Sequence, residues 1–452
     1  MNKGNYGFPL PPNAPTRVAP PRWDNMKIYD VAGSYNDFTV PQNVFQVRAI
    51  VIGAGASGAA MRSVTAFAEA TGGAAGAYAD VILDVVPGQA LPTITVGAGG
   101  VAVSIASGTT TVQTAGNSGG ASSVGSILTC NGGQAGQFGG TVTNSGATAA
   151  AGGAVTGSVR GYKQTGGNSG AVTISGSPTS VAGATGGASP FKDSGSVICT
   201  SSGAVRGAAT GGAALASSGS ISVSGASNLE ANATGGAGVY ASGSLTSAQI
   251  RSGGGGSYGP SSGNLAINTS SDGGIGFAIT GGVAGSGTTN GSNGSNPTYD
   301  IAWMKEWDFF LQRRYFSSGG GAYSNASTTS NQKAGDGGMF GAGGGAAGES
   351  FASGSGTRTA GNGGFLLGGG GAIAAFGSAS TLVAGNGGKF SGGGACAAQR
   401  SGTGSTVISA GNGRTGAGGG AVAAADISTV AYTLTSGAGG DGLVILMWTE
   451  GY

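Results

Sequence analysis

Runs of hydrophobic, mostly β-branched residues near both ends of the chain predict strands. Residues 44–52 are followed by a glycine, and residues 79–86 are followed by a Pro-Gly turn. A third run covers residues 91–96, and a fourth, residues 442–448, lies at the end of the chain. Such runs, bounded by glycine or proline, are typical of strands. We therefore predict that strands from both ends form one small sheet, with the body of the chain inserted between them.

One segment has a different hydrophobic pattern and predicts an amphipathic α-helix over residues 296–318. Asn296 is placed to cap this helix and Pro297 lies in its first turn. The predicted helix covers an apolar face of the body, contacts another subunit or docks onto a fibre. Apolar side chains recur at helical spacing, at Ile301, Trp303, Met304, Trp307, Phe310, Leu311 and Tyr315.

The body contains a sequence repeat, which constrains the architecture more than any single motif does. Its units begin with Ala-Gly-Asp-Gly or Ala-Gly-Asn-Gly, at residues 334, 360, 384 and 410, and a degenerate unit begins at 436. The units are therefore 26, 24, 26 and 26 residues apart. Eight or nine residues into each of the first four units lies a triple glycine.

Glycine blocks of this kind can form extended polyproline-II helices, which lie close together and bond backbone N–H to backbone C=O. At about 3.1 Å per residue, a unit of about 25 residues suits two antiparallel passes. The short variable tips, at residues 339–340, 365–367, 389–390 and 414–415, then meet at one end of the array. The predicted fold class is mostly β or irregular: a small β-sheet formed by strands from both chain ends, an inserted array of polyglycine-II helices and one isolated amphipathic α-helix.

Composition supports an unusual backbone and divides the chain into parts. Glycine supplies 101 of the 452 residues, about three times its share of about 7% in typical proteins. Charged residues make up only 8% of the chain, against about 25% in typical proteins. Disorder is a competing interpretation, but a net charge of +2 argues against it. We predict a proline-rich attachment leader at 1–37 and a glycine-rich domain at 38–452. The domain divides into a strand-containing part at 38–133, a Gly/Ser/Ala/Thr-rich part at 134–295, the helix, repeats at 334–440 and a closing strand at 441–450.

The same composition excludes several kinds of chemistry. Histidine is absent, which removes the commonest general base and metal ligand. Cys130, Cys199 and Cys396 lie far apart, so we expect free, buried thiols rather than a zinc or redox motif. The near-neutral charge does not favour nucleic-acid binding. We see no signal peptide in residues 1–21, and the longest apolar run is too short to span a bilayer.

A possible dinucleotide-binding motif occurs after the first predicted strand. Gly53, Gly55 and Gly58 form G-x-G-x-x-G, which in a Rossmann domain holds a pyrophosphate at a helix start. A second strand ending in an acidic residue about 20 positions on is missing, as is βαβ repetition. We therefore expect no cofactor and no enzymatic activity.

Four segments resemble, in order, the glycine-rich domain of bacteriophage tail-fibre and tail-tip proteins. The similarity covers about residues 38–450 and rests on order as well as composition. Its segments are the opening strand with Phe38-Thr-Val-Pro and 47–55, a second element at 86–89 and 94–100, a third at 119–125 and 131–133, and a closing strand at 439–448.

The resemblance implies a virion protein of a tail fibre or tail tip, made in the host cytoplasm. Related adhesins are sandwiches of polyglycine-II helices whose distal loops contact a bacterial receptor, here expected to be an outer-membrane protein or a glycan. Candidate receptor-contact residues are Phe340, Phe351, Arg358, Phe365, Phe376, Lys389, Phe390 and Arg400. Candidates for attachment to the virion are Phe8, Trp23, Tyr29, Trp303 and Trp307.

Two functional hypotheses stay open at this point. The first is receptor binding, with other tail or fibre proteins as partners, no nucleic acid, and a homotrimer among the possible assemblies. The second is a purely structural virion component, such as a fibre shaft, a tip plug or a head decoration. Binding of the isolated protein to host cells distinguishes the two.

Overall fold

The computed structural model describes most of the chain between residues 23 and 450. The leader up to residue 22 and the helix predicted at 296–318 lie outside the described residues. The described ranges are 23–140, 146–175, 180–200, 205–214, 218–223, 232–236, 245–246, 251–252, 269–270, 285–286, 323–325, 332–337, 347–352, 356–364, 370–377, 381–400, 406–426 and 431–450.

The regular elements of these ranges are all β-strands; no helix occurs in them. The first part of the chain contains β1 Asn25–Tyr29, β2 Gly33–Tyr35, β3 Gln46–Ile52, β4 Ala60–Ser63, β5 Phe67–Ala70, β6 Tyr78–Asp84, β7 Ile94–Val96, β8 Ser104–Ile105, β9 Val112–Thr114, β10 Ser122–Val124, β11 Leu128–Cys130, β12 Val155–Thr156 and β13 Arg160–Gln164. The second part contains β14 Val172–Ile174, β15 Val181–Ala184, β16 Val197–Cys199, β17 Val205–Ala209, β18 Ile221–Val223, β19 Asn232–Ala233, β20 Leu245–Thr246, β21 Arg251–Ser252, β22 Thr269–Ser270 and β23 Gly285–Ser286. The last part contains β24 Tyr323–Asn325, β25 Gln332–Lys333, β26 Ala347–Ala352, β27 Thr357–Thr359, β28 Ile373–Gly377, β29 Thr381–Val383, β30 Cys396–Arg400, β31 Thr406–Ser409, β32 Val422–Asp426, β33 Tyr432–Thr435 and β34 Leu443–Trp448.

Strands from the two ends of the chain form an antiparallel sandwich. One sheet has the order β1-β34-β3-β6-β13, and the other has the order β12-β11-β10-β7-β2. Ile50 of β3 lies opposite Ile445 of β34. The four predicted strand regions are confirmed as β3, β6, β7 and β34, although β7 belongs to the second sheet. Large side chains from both sheets share one core, including Phe38, Val47, Val51, Ile94, Leu128 and Leu446.

The rest of the described chain forms a β-solenoid of about four turns. Its strands lie in four mainly parallel ladders, in which each coil adds one strand beside the matching strand of the next coil. Val172, Val197, Ile221 and Leu245 follow one another across one ladder in this way. Such stacking lets each coil bury its apolar side chains against its neighbours, which no single coil can do alone.

The predicted fold class is therefore wrong. The repeat was interpreted as two antiparallel passes of polyglycine-II helix, whereas each unit is one coil that contains two short strands. In the unit that begins at 384 these strands are β30 and β31, which pair in parallel with β32 and β33 of the following unit. The prediction failed because strand propensity within one glycine-rich unit is weak. The strands gain their stability from pairing with the same segment one repeat away.

Glycine tracts connect the strands of each coil and lie directly against tracts of other coils. The Gly394 N–H donates to Gly385 C=O at 2.9 Å, and the Gly411 N–H donates to Gly394 C=O at 2.8 Å. A Cβ atom on Gly394 would lie 1.6 Å from the Gly371 oxygen. Only glycine allows the backbones to approach this closely.

The solenoid runs outward and then returns beside itself. Strands β15, β17 and β19 lead away from β5, and β26, β28, β30 and β32 lead back to β4. Between the two runs lies a seam whose buried hydrophobic residues are all alanine except Met61. Backbone bonds cross the seam, for example from Ala421 N–H to Thr185 C=O at 3.1 Å. Small side chains are needed here because the two runs bond through their backbones.

Candidate functional site

A ladder of Asp and Asn side chains fixes the first glycine block of each repeat. The Oδ1 atoms of Asp336, Asn362, Asn386 and Asn412 accept the backbone N–H one repeat further on, at 2.7, 2.9, 2.8 and 2.8 Å. The last N–H in the series belongs to Ala438. Each side chain thus bonds a backbone group that the glycine tract leaves without a partner in its own coil. The residues that follow the ladder are held in the same relative position in successive repeats.

Tight turns follow the ladder in the last two of these repeats. In the turns 388–391 and 414–417, the last N–H donates to the first C=O at 3.0 and 2.8 Å, respectively. The third position has a positive φ in both, 64° at Phe390 and 73° at Gly416. This left-handed conformation costs a non-glycine residue about 1–2 kcal/mol. Phe390 is therefore strained, whereas the next repeat has glycine at the same turn position. Strained residues of this kind often mark a functional site.

Three successive repeats line one cavity of about 440 Å³: two of them contribute residues of their variable tips, and the repeat before them contributes Gly363 and Gly364 of its constant glycine block. Its lining contains two cationic side chains, Lys389 and Arg414, together with glycine backbone and a threonine, and it contains no acidic residue. Within the described residues, neither cation forms a salt bridge. We call this cavity the tip groove; its lining residues are Gly363, Gly364, Gly387, Gly388, Lys389, Arg414 and Thr415.

A row of aromatic rings leads from the sandwich to the tip groove. Ring centroids lie 6.0 Å apart between Tyr162 and Tyr78, 4.9 Å between Tyr78 and Phe191, and 6.2 Å between Phe191 and Phe390. Lys389 Nζ lies 5.6 Å from the Phe390 ring centroid, so the row meets the groove at this residue. Burial raises the pKa of Tyr78 to about 12, which keeps its hydroxyl neutral. We call these four rings the aromatic row.

The structure brings together two of the predicted receptor-contact residues, Lys389 and Phe390. Arg358 is only 2% exposed in β27, so it presents no exposed side chain for a contact. The other candidates are described only in part or not at all. Phe351, Phe376 and Arg400 lie in β26, β28 and β30, and only the backbone of these three residues is described. Phe340 and Phe365 lie outside the described residues.

The predicted attachment residues do not form one site in the described part of the chain. Trp23 is half-buried just before β1. Tyr29 is 4% exposed and belongs to the sandwich core, so its ring is not available at the surface. Phe8, Trp303 and Trp307 lie outside the described residues.

Sequence reasoning missed most of the site. Arg414 lies at a recognised tip, and the equivalence of that tip to residues 389–390 was the signal that could have added it. The aromatic row had no such signal. Tyr162, Tyr78 and Phe191 become neighbours because β13 pairs with β6 and because Phe191 lies close to Tyr78, and neither contact follows a repeat.

The G-x-G-x-x-G motif has a structural role in the solenoid. The Gly55 N–H donates to Gly440 C=O at 2.8 Å, and the Gly58 N–H donates to Gly437 C=O at 3.1 Å. A Cβ atom on Gly55 would lie 1.9 Å from the Ala417 oxygen. The amides that would bind a pyrophosphate in a Rossmann domain bond other backbone tracts instead.

The three cysteines are confirmed as buried thiols that form no disulfide. Burial raises the pKa of Cys130 to about 12 and raises the pKa of Cys396 as well, which keeps these thiols protonated and unreactive. The described segments contain no cluster of three or more potential metal-binding side chains. Among the described residues, no helix has the length and hydropathy that a membrane span requires.

Comparison with known proteins identifies a family for this chain. A family model described as "Glycine-rich domain" matches residues 30–280, which is more than half of the chain. The match includes the first three segments of the resemblance described above, whereas the closing strand lies beyond it. No curated protein matches the sequence. On the length of the family match, the chain belongs to the glycine-rich domain family.

Proposed function

We propose that this protein is a bacteriophage tail-fibre or tail-tip component that binds the host cell surface. The contact is made by the tip end of the solenoid, the end that carries the tip groove. The protein binds rather than catalyses, and the rest of the chain serves to hold this surface in place. The observation that carries the proposal is that the variable tips of two successive repeats contribute Lys389, Arg414 and Thr415 to one groove.

This arrangement suits recognition because the scaffold and the variable positions are separate. The Asp and Asn ladder and the glycine tracts recur from repeat to repeat, whereas the tips differ: Lys389-Phe390 occupies one and Arg414-Thr415 the next. Binding residues are commonly found on loops that a rigid scaffold positions. A change in tip sequence therefore alters the surface without altering the ladder below it.

Order in the sequence supports the location in a virion. The opening strand, the second element, the third element and the closing strand follow the order found in glycine-rich domains of phage tail proteins. The sandwich that contains β3 and β34 joins both ends of the domain. We propose attachment through the leader, residues 1–37, whose last residues form β1 and β2 of the sandwich; the aromatic row leads from this sandwich to the tip groove.

The test is adsorption of the purified, fluorescently labelled full chain to a panel of bacterial strains. We expect saturable binding to at least one strain, and we expect a variant with residues 388–391 and 414–417 exchanged for the tips of a related protein to change which strains bind. Antibodies against the chain should label a tail fibre or tail tip in electron micrographs of the virion.

Two results would argue against this function. If no strain binds the labelled chain at about micromolar concentration, a purely structural virion component becomes the better explanation. If strain preference is the same after the tips are exchanged, the contact surface lies elsewhere on the chain.

A further inference from the structure

The tip groove and the aromatic row form one continuous surface with two kinds of chemistry. The groove supplies the cations Lys389 and Arg414 beside a backbone without side chains. The row supplies four rings in succession, of which Tyr162 is 59% exposed. Binding sites commonly combine an apolar, aromatic lining with a few polar groups that fix orientation. The surface therefore suits a ligand that is both ringed and acidic.

We propose that this surface binds a saccharide that carries an acidic group. The carboxylate or phosphate lies in the tip groove between Lys389 and Arg414, and the sugar rings pack along the aromatic row. This inference rests on the proposed function, because it names the class of surface molecule that the protein recognises on a cell.

The electrostatics favour an acidic group in the groove. Neither Lys389 nor Arg414 is in a salt bridge within the described residues, so binding an anion would not require an existing ion pair to break. The guanidinium of Arg414 can bind a carboxylate or a phosphate through two parallel hydrogen bonds. The carboxylates of Asp193 and Asp441 bond backbone groups instead of these cations. The Asn168 N–H donates to Asp193 Oδ1, and the Gly99 N–H donates to Asp441 Oδ1.

The aromatic row favours sugar rings as the remainder of the ligand. The C–H face of a pyranose ring packs against an aromatic ring, and its hydroxyl groups stay at the edge, where they meet water or polar groups. Phe390 links the two parts of the surface, since its ring contacts Phe191 and lies beside Lys389. Its strained backbone places the ring at this junction, whereas the equivalent Gly416 supplies no side chain.

The charge of the chain disfavours nucleic acid, the other ligand with rings and phosphates. Nucleic-acid binding draws on many cations that neutralise successive phosphates, and the whole chain has a net charge of only +2. Beside the row, the Arg48 guanidinium is already paired with Asp80 at 2.6 Å. Two cations in one groove suit a single acidic group better than a polyanion.

The test uses the full chain on an immobilised saccharide array. The array contains uronic-acid, sialylated and phosphorylated oligosaccharides, each beside a neutral counterpart such as the methyl ester of tri-galacturonic acid. We expect binding of an acidic member that is at least about tenfold tighter than binding of its neutral partner, a difference of about 1.4 kcal/mol. Carboxylated and phosphorylated members distinguish the two sources of the acidic group.

Two variants separate the roles of the groove and the row. Lys389→Met combined with Arg414→Met should abolish the preference for acidic over neutral members. Phe390→Gly should weaken binding of both by roughly tenfold, while the preference stays. Lys27→Met is the matched control, because Lys27 is paired with Asp37 and lies outside the surface; its binding should equal that of the unaltered chain.

Each failure has a separate meaning. If no acidic saccharide binds but cells still do, the saccharide proposal is overturned and the proposed function stands. If acidic saccharides bind and no cell does, the saccharide chemistry stands and the adhesin function fails. The proposal is also overturned if the variant with Lys389→Met and Arg414→Met keeps the preference for acidic over neutral members.

Discussion

The sandwich core and the seam of the solenoid bury residues of different size. In the sandwich, large side chains such as Phe38 and Leu128 fill the space between two antiparallel sheets. In the seam of the solenoid, the buried hydrophobic side chains are alanines and Met61, and glycine tracts bond one another through their backbones. An alanine buries little apolar area, so each one contributes little transfer free energy. The seam therefore depends more on close backbone packing, and the sandwich more on side-chain volume.

This difference predicts opposite sensitivities to a change in size. Gly394→Ala adds one methyl group where a Cβ atom would lie 1.6 Å from the Gly371 oxygen. We expect it to cost more than ~3 kcal/mol, above the usual range for overpacking, because backbone rather than a side chain must move. The expected result is loss of protection of the amides in residues 381–400 and 406–426, measured by hydrogen exchange.

The matched change in the sandwich is Val47→Ala, which removes carbon atoms from a fully buried position. We expect it to cost about 2 kcal/mol and to leave exchange in the solenoid unchanged, because only a small cavity forms. If adding a methyl at Gly394 costs less than removing carbon at Val47, the proposed difference between the two regions is wrong.

The two regions also differ in how well the sequence predicts them. In the sandwich, strand-forming runs such as 44–52 and 442–448 are recognisable locally, because large β-branched side chains mark buried strands. In the solenoid, the period of 24 to 26 residues could be recognised in the sequence, but the sequence did not show that each unit forms one coil with two short strands. Strands such as β28 and β32 consist largely of alanine and glycine and pair only with another coil.

The site shows the same division. Lys389 and Phe390 were predictable as candidates because they interrupt a repeat at a fixed position. The aromatic row was not, because Tyr162 and Phe191 reach Tyr78 through contacts between non-repeating parts of the chain. The strain at Phe390 was visible only from its φ of 64°.

A buried carboxyl group sharpens the comparison through its pH dependence. The sandwich keeps Asp80 in an ion pair with Arg48, whereas Glu69 of the solenoid strand β5 is fully buried. Burial disfavours the charged form and raises the pKa of Glu69 from 4.5 to about 7. Below about pH 4.5 the group is protonated in both states and has no effect on stability. As the pH rises, the unfolded chain ionises first, so stability falls until about pH 7 and then stays level.

Glu69→Gln should remove this pH dependence. At about 1.4 kcal/mol per pKa unit, the unaltered chain should lose roughly 3 kcal/mol between about pH 5 and about pH 8 relative to the variant. Urea unfolding at a series of pH values measures the difference. Parallel stability curves for the two proteins would show that Glu69 is not a buried, neutral carboxyl in the folded state.

The ladder offers a smaller perturbation of the backbone bonding. Asn386→Ala removes the Oδ1 atom that accepts the Asn412 N–H at 2.8 Å. We expect a loss of about 1–2 kcal/mol, because the amide loses its partner. Asn386→Asp is the matched control: Asp336 already serves as an acceptor in the first unit of the ladder, so this variant should stay within about 0.5 kcal/mol of the unaltered chain. Equal losses in both variants would mean that the acceptor atom does not determine stability there.

The smallest effect is expected at the tip, where a large side chain stabilises little. Phe390→Gly removes a whole aromatic ring, yet it also relieves a left-handed backbone that costs phenylalanine about 1–2 kcal/mol. Lost contact with Phe191 offsets this relief, so we expect the unfolding free energy to change by less than about 1 kcal/mol. Phe38→Ala, in the sandwich core, should cost about 3–5 kcal/mol for removal of the same ring. Urea unfolding of both variants tests the contrast. A tip variant as unstable as the core variant would show that the Phe390 ring supports the fold, and that its strained backbone is not maintained for binding.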